Sequence, residues 1–365
     1  MKSWFAALGI PLIASTLAII IGAVIVGMIG YNPATVYGSL FVGAFGNHVN
    51  ISNTLAEAIP LLLIALGISL AFKAGFFNIG AQGQYWIGAI AATVLGTHLT
   101  SLPGWLHILV CLAGAMIAGG LWGGIIPGLA KTFRGVNEVV TTMMMGYIGT
   151  LLARFMIEDG PLRAEGTIPQ SRVVDESVML HTLVPKTQLT SGLFIVIAAV
   201  VLVWIIMKYT SFGYQIRAVG LNNHASRYAG INVALFTILS LALSGAFAGL
   251  AGGIQILAID HRLSYSFSLQ YGFTAIVVAL LAGGNPLGCV ASALFFSALH
   301  TGSQYIQMDS GVPSSLADVL TGMIIFFVAA ERIFNLVMDG VRRYRKRHST
   351  FASVVNGGDK VERFT

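Results

Sequence analysis

The chain has 365 residues, a net charge of +6 and a mean hydropathy of +0.82, and only 9% of its residues are charged. A soluble domain carries about a quarter charged residues, so that class is excluded; apolar runs able to cross a ~30 Å hydrocarbon core recur along the whole length instead. A membrane β-barrel would alternate in ~10-residue segments, and nucleic-acid binding is excluded because the excess charge gathers between Arg332 and Arg347, as an anchor at anionic membrane lipid would.

The pattern predicts an all-α, polytopic membrane protein with about ten transmembrane helices. By length and flanking polarity they cover residues 5–29, 54–71, 81–98, 106–129, 139–156, 193–207, 233–256, 273–281, 287–301 and 316–330. The first run is too long for a signal-peptide core and has no convincing cleavage site, so it reads as a retained helix. The eighth is too short to cross alone unless it begins near Ser266, and otherwise reads as a half helix.

Charge sets the orientation. With the N-terminus inside, 15 basic residues fall on the cytoplasmic side and 4 outside, while Arg154 lies within a span. The positive-inside rule then puts both termini in the cytoplasm. Residues 1–340 read as the transmembrane domain, and 341–365 as a basic cytoplasmic tail, disordered from Ser349. No internal repeat is convincing.

Residues 158–190 make the largest outer loop, with three prolines and five acidic residues. It reads either as a surface that receives something from outside or as a solvated connector. Within the spans, Gly120, Gly124 and Gly128 recur every four residues, as do Gly245, Gly249 and Gly253. Glycines on one helix face let two backbones approach closely.

No residue set suggests catalysis. There is no phosphate-binding GxxxxGK[ST] loop, no HExxH and no GxSxG. Cys111 and Cys289 lie in or beside spans and give neither metal spacing nor a disulfide framework, so no metal and no cofactor is expected. His98 and His107 flank a short outer loop as interfacial residues. Glu57, Glu138 and Asp318 fall near predicted helix starts, where the macrodipole favours an acid, with Glu57 and Asp318 towards the outer vestibule.

Two polar segments interrupt the apolar pattern. Residues 72–86 (FKAGFFNIGAQGQYW) bring Asn78, Gln82 and Gln84 into or beside the membrane. Amides there must find partners, either the backbone of a broken helix or a polar solute. Residues 134–147 (RGVNEVVTTMMMGY) place Asn137, Glu138, Thr141 and Thr142 at a helix entry, with Thr141 on the face of Asn137 and Glu138. Asn78, Gln82, Asn137, Glu138 and Thr141 are the expected lining or support of a substrate path.

The longest polar island, residues 208–231 (KYTSFGYQIRAVGLNNHASRYAGI), has no acid and alternates small with polar residues in its second half. Facing the cytoplasm, it reads as a docking element for a partner that drives the protein from inside. Arg217, Gly220, Asn222, Ala225, Arg227, Ala229 and Gly230 are its expected contacts.

These strings resemble a family. AGFFNIGAQGQYWIGA (74–89) resembles the AGxxNIGxEGQ segment of ABC importer permeases of the branched-chain amino acid, ribose and nucleoside superfamily. RGVNEVVTTMM (134–144) resembles the GxNEVxxTxM segment of its nucleoside-uptake branch. RAVGLNNHASRYAGIN (217–232) is similar to the coupling loop, and AIVVALLAGGNPLG (275–288) to a later glycine-rich turn. Two positions depart: Gln82 stands where the family often has Glu, and Gly146 where nucleoside permeases often carry Asn. The resemblance implies a permease subunit without its own ATPase site and a coupling helix over 218–230. Its implied partners are a cytoplasmic ATP-binding subunit, a second permease in a heterodimer, and an extracytoplasmic substrate-binding lipoprotein that delivers a nucleoside. A simple sugar such as ribose is the alternative cargo, and an ATP-independent secondary carrier the alternative class.

Overall fold

The computed structural model describes residues 20–99, 101–265 and 270–310, together with 319 and 322. The N-terminal part of the first expected span, the tenth span except 319 and 322, Asp318 and the basic tail lie outside the described residues. Two units result, Gly38–Asp309 and a second made of Met1–Tyr37 with Ser310–Thr365.

Every regular element among the described residues is helical. In chain order they are α1 Ile20–Met28, α2 Pro33–Phe45, α3 His48–Lys73, α4 Ala81–His98, α5 Gly104–Gly123, α6 Leu129–Arg134 and α7 Glu138–Glu158. After the outer loop come α8 Gly192–Tyr209, α9 Ser211–Leu221, α10 Asn223–Tyr228, α11 Val233–Gln255, α12 Tyr271–Ala282 and α13 Pro286–Ser310. Among the described residues five helical stretches are long and apolar enough to cross a membrane, and a sixth if Ile20–Met28 and Pro33–Phe45 form one broken span. The five are His48–Lys73, Gly104–Arg134, Glu138–Glu158, Gly192–Tyr209 and Val233–Asp260. Three expected spans fall short of that standard, among them α13, whose second half (HTGSQYIQMDS) is polar. Helix α4 carries two glutamines and three glycines over its 18 residues, and α12 has only 12 residues, about 18 Å of rise. Its start at Tyr271 rather than near Ser266 makes it a half-length helix.

Two of the long spans continue through a π-helical turn. Gly124–Gly128 carries Pro127, which has no N–H to give to the usual ladder, and Ile256–Asp260 ends in His261 at φ +54.

The core is built on backbone contact. A Cβ on Gly88 would strike the carbonyl of Gly249, one on Gly252 the carbonyl of Tyr85, and one on Gly245 the carbonyl of Gly119. Both glycine ladders lie in the contact of the 104–128 helix with α11, each against small or apolar residues of the other helix: Gly124 against Ala242, and Gly249 against Ala115 and Gly119. Tight packing of small residues is thus what the four-residue glycine spacing encodes.

The 158–190 loop is folded onto the helix ends. Its backbone N–H groups at Val174 and Leu180 donate to the carbonyls of His261 and Leu257, and Asp175 N–H donates to Gly96 O. Leu162, Val174, Val178, Leu180 and Leu189 are buried. Between these anchor points most of the loop's other residues stay exposed or half-buried. His107 is buried rather than interfacial, with its ring nitrogens 3.0 Å from Ser177 Oγ and 3.0 Å from Leu95 O. Glu57 is the tenth residue of a helix that begins at His48, too far in to serve as a cap.

Candidate functional site

Two helix starts converge inside the bundle. Helix α3 ends at Lys73, and the seven residues that follow run back along the bundle before α4 begins. Asn78 in this turn lies against Ser244, the twelfth of the 23 residues of α11, so α4 starts about half-way along its neighbour. Its close fit against α7 depends on absent side chains: a Cβ on Gly80 would strike Thr142 O, and one on Gly83 would strike Gly146 O. Thr142 seals the junction, donating to Glu138 O at 2.7 Å and accepting from Ile79 N–H at 3.2 Å.

The three membrane amides of this segment find different partners. The Asn78 amide donates to Gln84 Oε1 at 2.7 Å and to Ser244 Oγ at 2.8 Å, while its oxygen accepts from Gly80 N–H at 3.0 Å and Gln84 Nε2 at 3.2 Å. Asn78 therefore holds the broken backbone and supports the site from behind. Gln82 Oε1 accepts from Gly272 N–H at 2.7 Å, one of the N–H groups that the first turn of α12 leaves without a helical acceptor. Gln82 Nε2 is buried and has no hydrogen-bond partner among the described residues.

In front of Gln82 lies a cavity of about 180 Å3, lined by Ile79, Gln82, Met143, Gly146, Tyr147, Thr150, Gln270 and Phe273. Both departures from the family strings, Gln82 and Gly146, are in this wall. Gln270 enters α12 at φ +53, in the left-handed region that non-glycine residues rarely adopt. No charged side chain lines the cavity. A larger cavity of about 380 Å3 between α5 and α11 has wholly apolar walls, including Met116, Ile117 and Leu239, and offers no orienting group.

The remaining expected path residues sit one turn away. Asn137 caps α7, accepting from Val139 N–H at 2.9 Å, and Glu138 pairs with Lys131 at 2.8 Å. Thr141 turns back to the carbonyls of Asn137 and Glu138. None of these three lines the cavity; Thr150, Tyr147 and Phe273 do. The aromatic pair carried no sequence signal, because hydropathy marks them as membrane residues without telling a lipid face from a cavity face.

The 208–231 loop forms two short helices rather than one over 218–230. Asn222, extended at φ −161 and ψ 107, breaks them and caps α10 by accepting from His224 and Ala225 N–H at 3.0 Å each. Ala225, Arg227, Ala229 and Gly230 are exposed and Arg217 is half-buried. Gly220 is exposed on one side only: a Cβ there would strike the Lys73 carbonyl at the end of α3. Leu221 and Tyr228 are 88% and 95% exposed, the two large side chains that the loop's composition concealed.

Long apolar helices packed backbone to backbone, around helix ends that stop inside the bundle, define a polytopic membrane permease. Residues 50–329 match the family model described as branched-chain amino acid transport system / permease component. The chain is 35% identical over 338 residues to the guanosine ABC transporter permease protein NupP of Bacillus subtilis, covering 92% of this chain and 96% of that one. It is 35% identical over 350 residues to the nucleoside ABC transporter permease protein NupB of Lactococcus lactis (93% and 96%), and 30% identical over 370 residues to the glucose ABC transporter permease protein TsgB13 of Haloferax volcanii (98% and 96%). The chain belongs to the branched-chain amino acid transport system permease family, as a multi-pass permease subunit of an ABC transporter in the plasma membrane. Membership implies, in general, an ATP-binding subunit, a partner permease and a substrate-binding protein.

Proposed function

We propose that this subunit carries nucleosides inward, powered by ATP hydrolysed on another chain. The observation that carries the reading is the cavity at the two helix starts: amide, hydroxyl and aromatic groups with no charge. A nucleoside is uncharged at neutral pH and offers many hydrogen-bonding atoms on a flat base. Positive helix ends and side-chain amides suit it, and aromatic rings supply stacking faces. The names of the Bacillus and Lactococcus relatives support the same cargo.

Ten spans with both termini in the cytoplasm put the 208–231 loop on the ATPase side. There Leu221 and Tyr228 are the anchors, with Asn222, Ala225, Arg227, Ala229 and Gly230 around them, and a lipoprotein delivers substrate from outside. Tyr147 opens the cavity onto an exposed face of α7 that includes Met144, Leu151 and Phe155. A second, homologous permease closes the path along this face. Cells lacking the subunit should lose uptake of labelled guanosine, and ribose in large excess should not compete with what the wild type takes up. Undiminished uptake of every nucleoside would refute the cargo; competition by ribose would replace it with a sugar.

A further inference from the structure

The Gln82 amide is locked in one orientation. Its oxygen is used by Gly272 N–H at 2.7 Å, so its Nε2 protons are left for whatever fills the cavity. An amide that could turn would offer either polarity to a ligand. This one cannot turn without putting its NH2 group against the Gly272 N–H, donor facing donor. The side chain is only 5% exposed, and a buried donor without an acceptor is costly. Gln84 and Asn78, two and four residues away in either direction, have both ends of their amides paired. Among the three amides of this segment the vacancy is therefore particular to Gln82, the one that lines the cavity.

We infer that Gln82 Nε2 is a specificity-determining donor that reads a hydrogen-bond acceptor of the translocating nucleoside: a carbonyl oxygen, ring nitrogen or hydroxyl oxygen lone pair. Occupation of the cavity supplies the acceptor that the described residues do not. The flanking Tyr147 and Phe273, 59% and 40% exposed, give the base its apolar faces. The site thus selects by polarity, and a ligand presenting only a donor at this point is rejected, because two donors would then face each other. This inference rests on the nucleoside reading and adds the atom class that the subunit recognises.

The test is a mutant cycle between protein and substrate. Uptake at low substrate is measured for guanosine and for analogues that each lack one acceptor: 7-deaza, 3-deaza, the 6-deoxo form without the carbonyl, and the 2′-, 3′- and 5′-deoxy forms. Wild type and Gln82→Met are compared in the complete transporter with the same binding protein, so selectivity upstream cancels. One analogue should lose about tenfold in the wild type and nothing further in Q82M, which itself should lose about tenfold on guanosine. If every analogue loses the same factor in both proteins, the inference is wrong while the nucleoside reading stands. If the wild type takes up no nucleoside, the reading fails first and the inference with it. Should Q82M not reach the membrane, Gln82→Glu at pH 8 is read in the same cycle; its carboxylate keeps the acceptor for Gly272 and offers no proton.

Discussion

The Tyr271 hydroxyl donates to the Glu57 carboxylate at 2.7 Å, tying the first residue of the half-length helix α12 to the tenth of the 26 residues of α3. The second carboxylate oxygen lies 2.7 Å from His300 Nδ1 on α13. A half helix has lost half the packing area of a full span, and this polar contact replaces part of it. Tyr271→Phe should cost about 1.5–3 kcal/mol, the range for a buried hydrogen bond to a charged group. Thermal unfolding of the purified subunit in detergent, run as a double-mutant cycle with Glu57→Gln, checks it. Additive losses would mean that the two groups do not interact.

The glycine contacts predict a graded outcome. Gly83→Ala should push α4 off α7, because the new methyl meets the Gly146 carbonyl, a backbone atom that cannot swing aside. Overpacking of this kind costs about 1–3 kcal/mol. Gly38→Ala, whose methyl meets nothing within 4 Å among the described residues, should be neutral or slightly stabilising. Quantifying each variant in membranes separates them, and equal levels for both would refute the close approach.

Much of this packing was legible beforehand, and the site much less so. Glycines four apart announce a helix contact in any sequence, and the apolar run 273–281, counted among the ten spans, was already too short to cross alone unless it began near Ser266. Glu57 misled because hydropathy finds where apolar residues begin: α3 starts six residues earlier, at His48, in a polar first turn. Asn78 and Gln82 looked alike as membrane amides. Only their partners, Gln84 and Ser244 for one and Gly272 for the other, separate a support from a wall, and such pairing across up to 190 positions leaves no trace in local pattern.

Acid should loosen the outer loop. Asp175 caps the short helical turn Glu176–Val178, accepting from Ser177 N–H at 2.9 Å, and its hydrogen bonds to Ser177 hold its carboxyl below the usual carboxylate range. A depressed folded pKa means that this contribution is fully present above the unfolded value and is lost as pH falls through the folded one. Hydrogen exchange at Ser177 and Val178 should therefore rise below the ordinary carboxylate range. In Asp175→Ala it should already be high at neutral pH and change little with acid. Equal pH dependence in both proteins would show that the cap does not control the loop.

On the 208–231 loop the positions separate by what lies behind them. Ala229→Trp and Leu221→Asp alter exposed positions and should lower transport about tenfold or more, with normal amounts of subunit in the membrane. Gly220→Leu should instead lower the amount itself, since its side chain would collide with the end of α3. Uptake and ATP hydrolysis, both normalised to membrane content, distinguish the two. Hydrolysis that persists without uptake in A229W is the expected signature, and wild-type transport in both exposed variants would remove the loop from the coupling.

The contact of Gly220 with the Lys73 carbonyl has a mechanical meaning. Backbone rests on backbone there, with no side chain between to flex, so the joint has no play. Lys73 is also the last residue before the turn that carries Asn78 and delivers Gln82 to the cavity wall, and its ammonium holds Gly283 O at 3.2 Å at the far end of α12. A push on the loop is thus delivered undamped to one corner where both ends of the cavity's framework are fastened, nine residues of chain from the amide that faces the cargo.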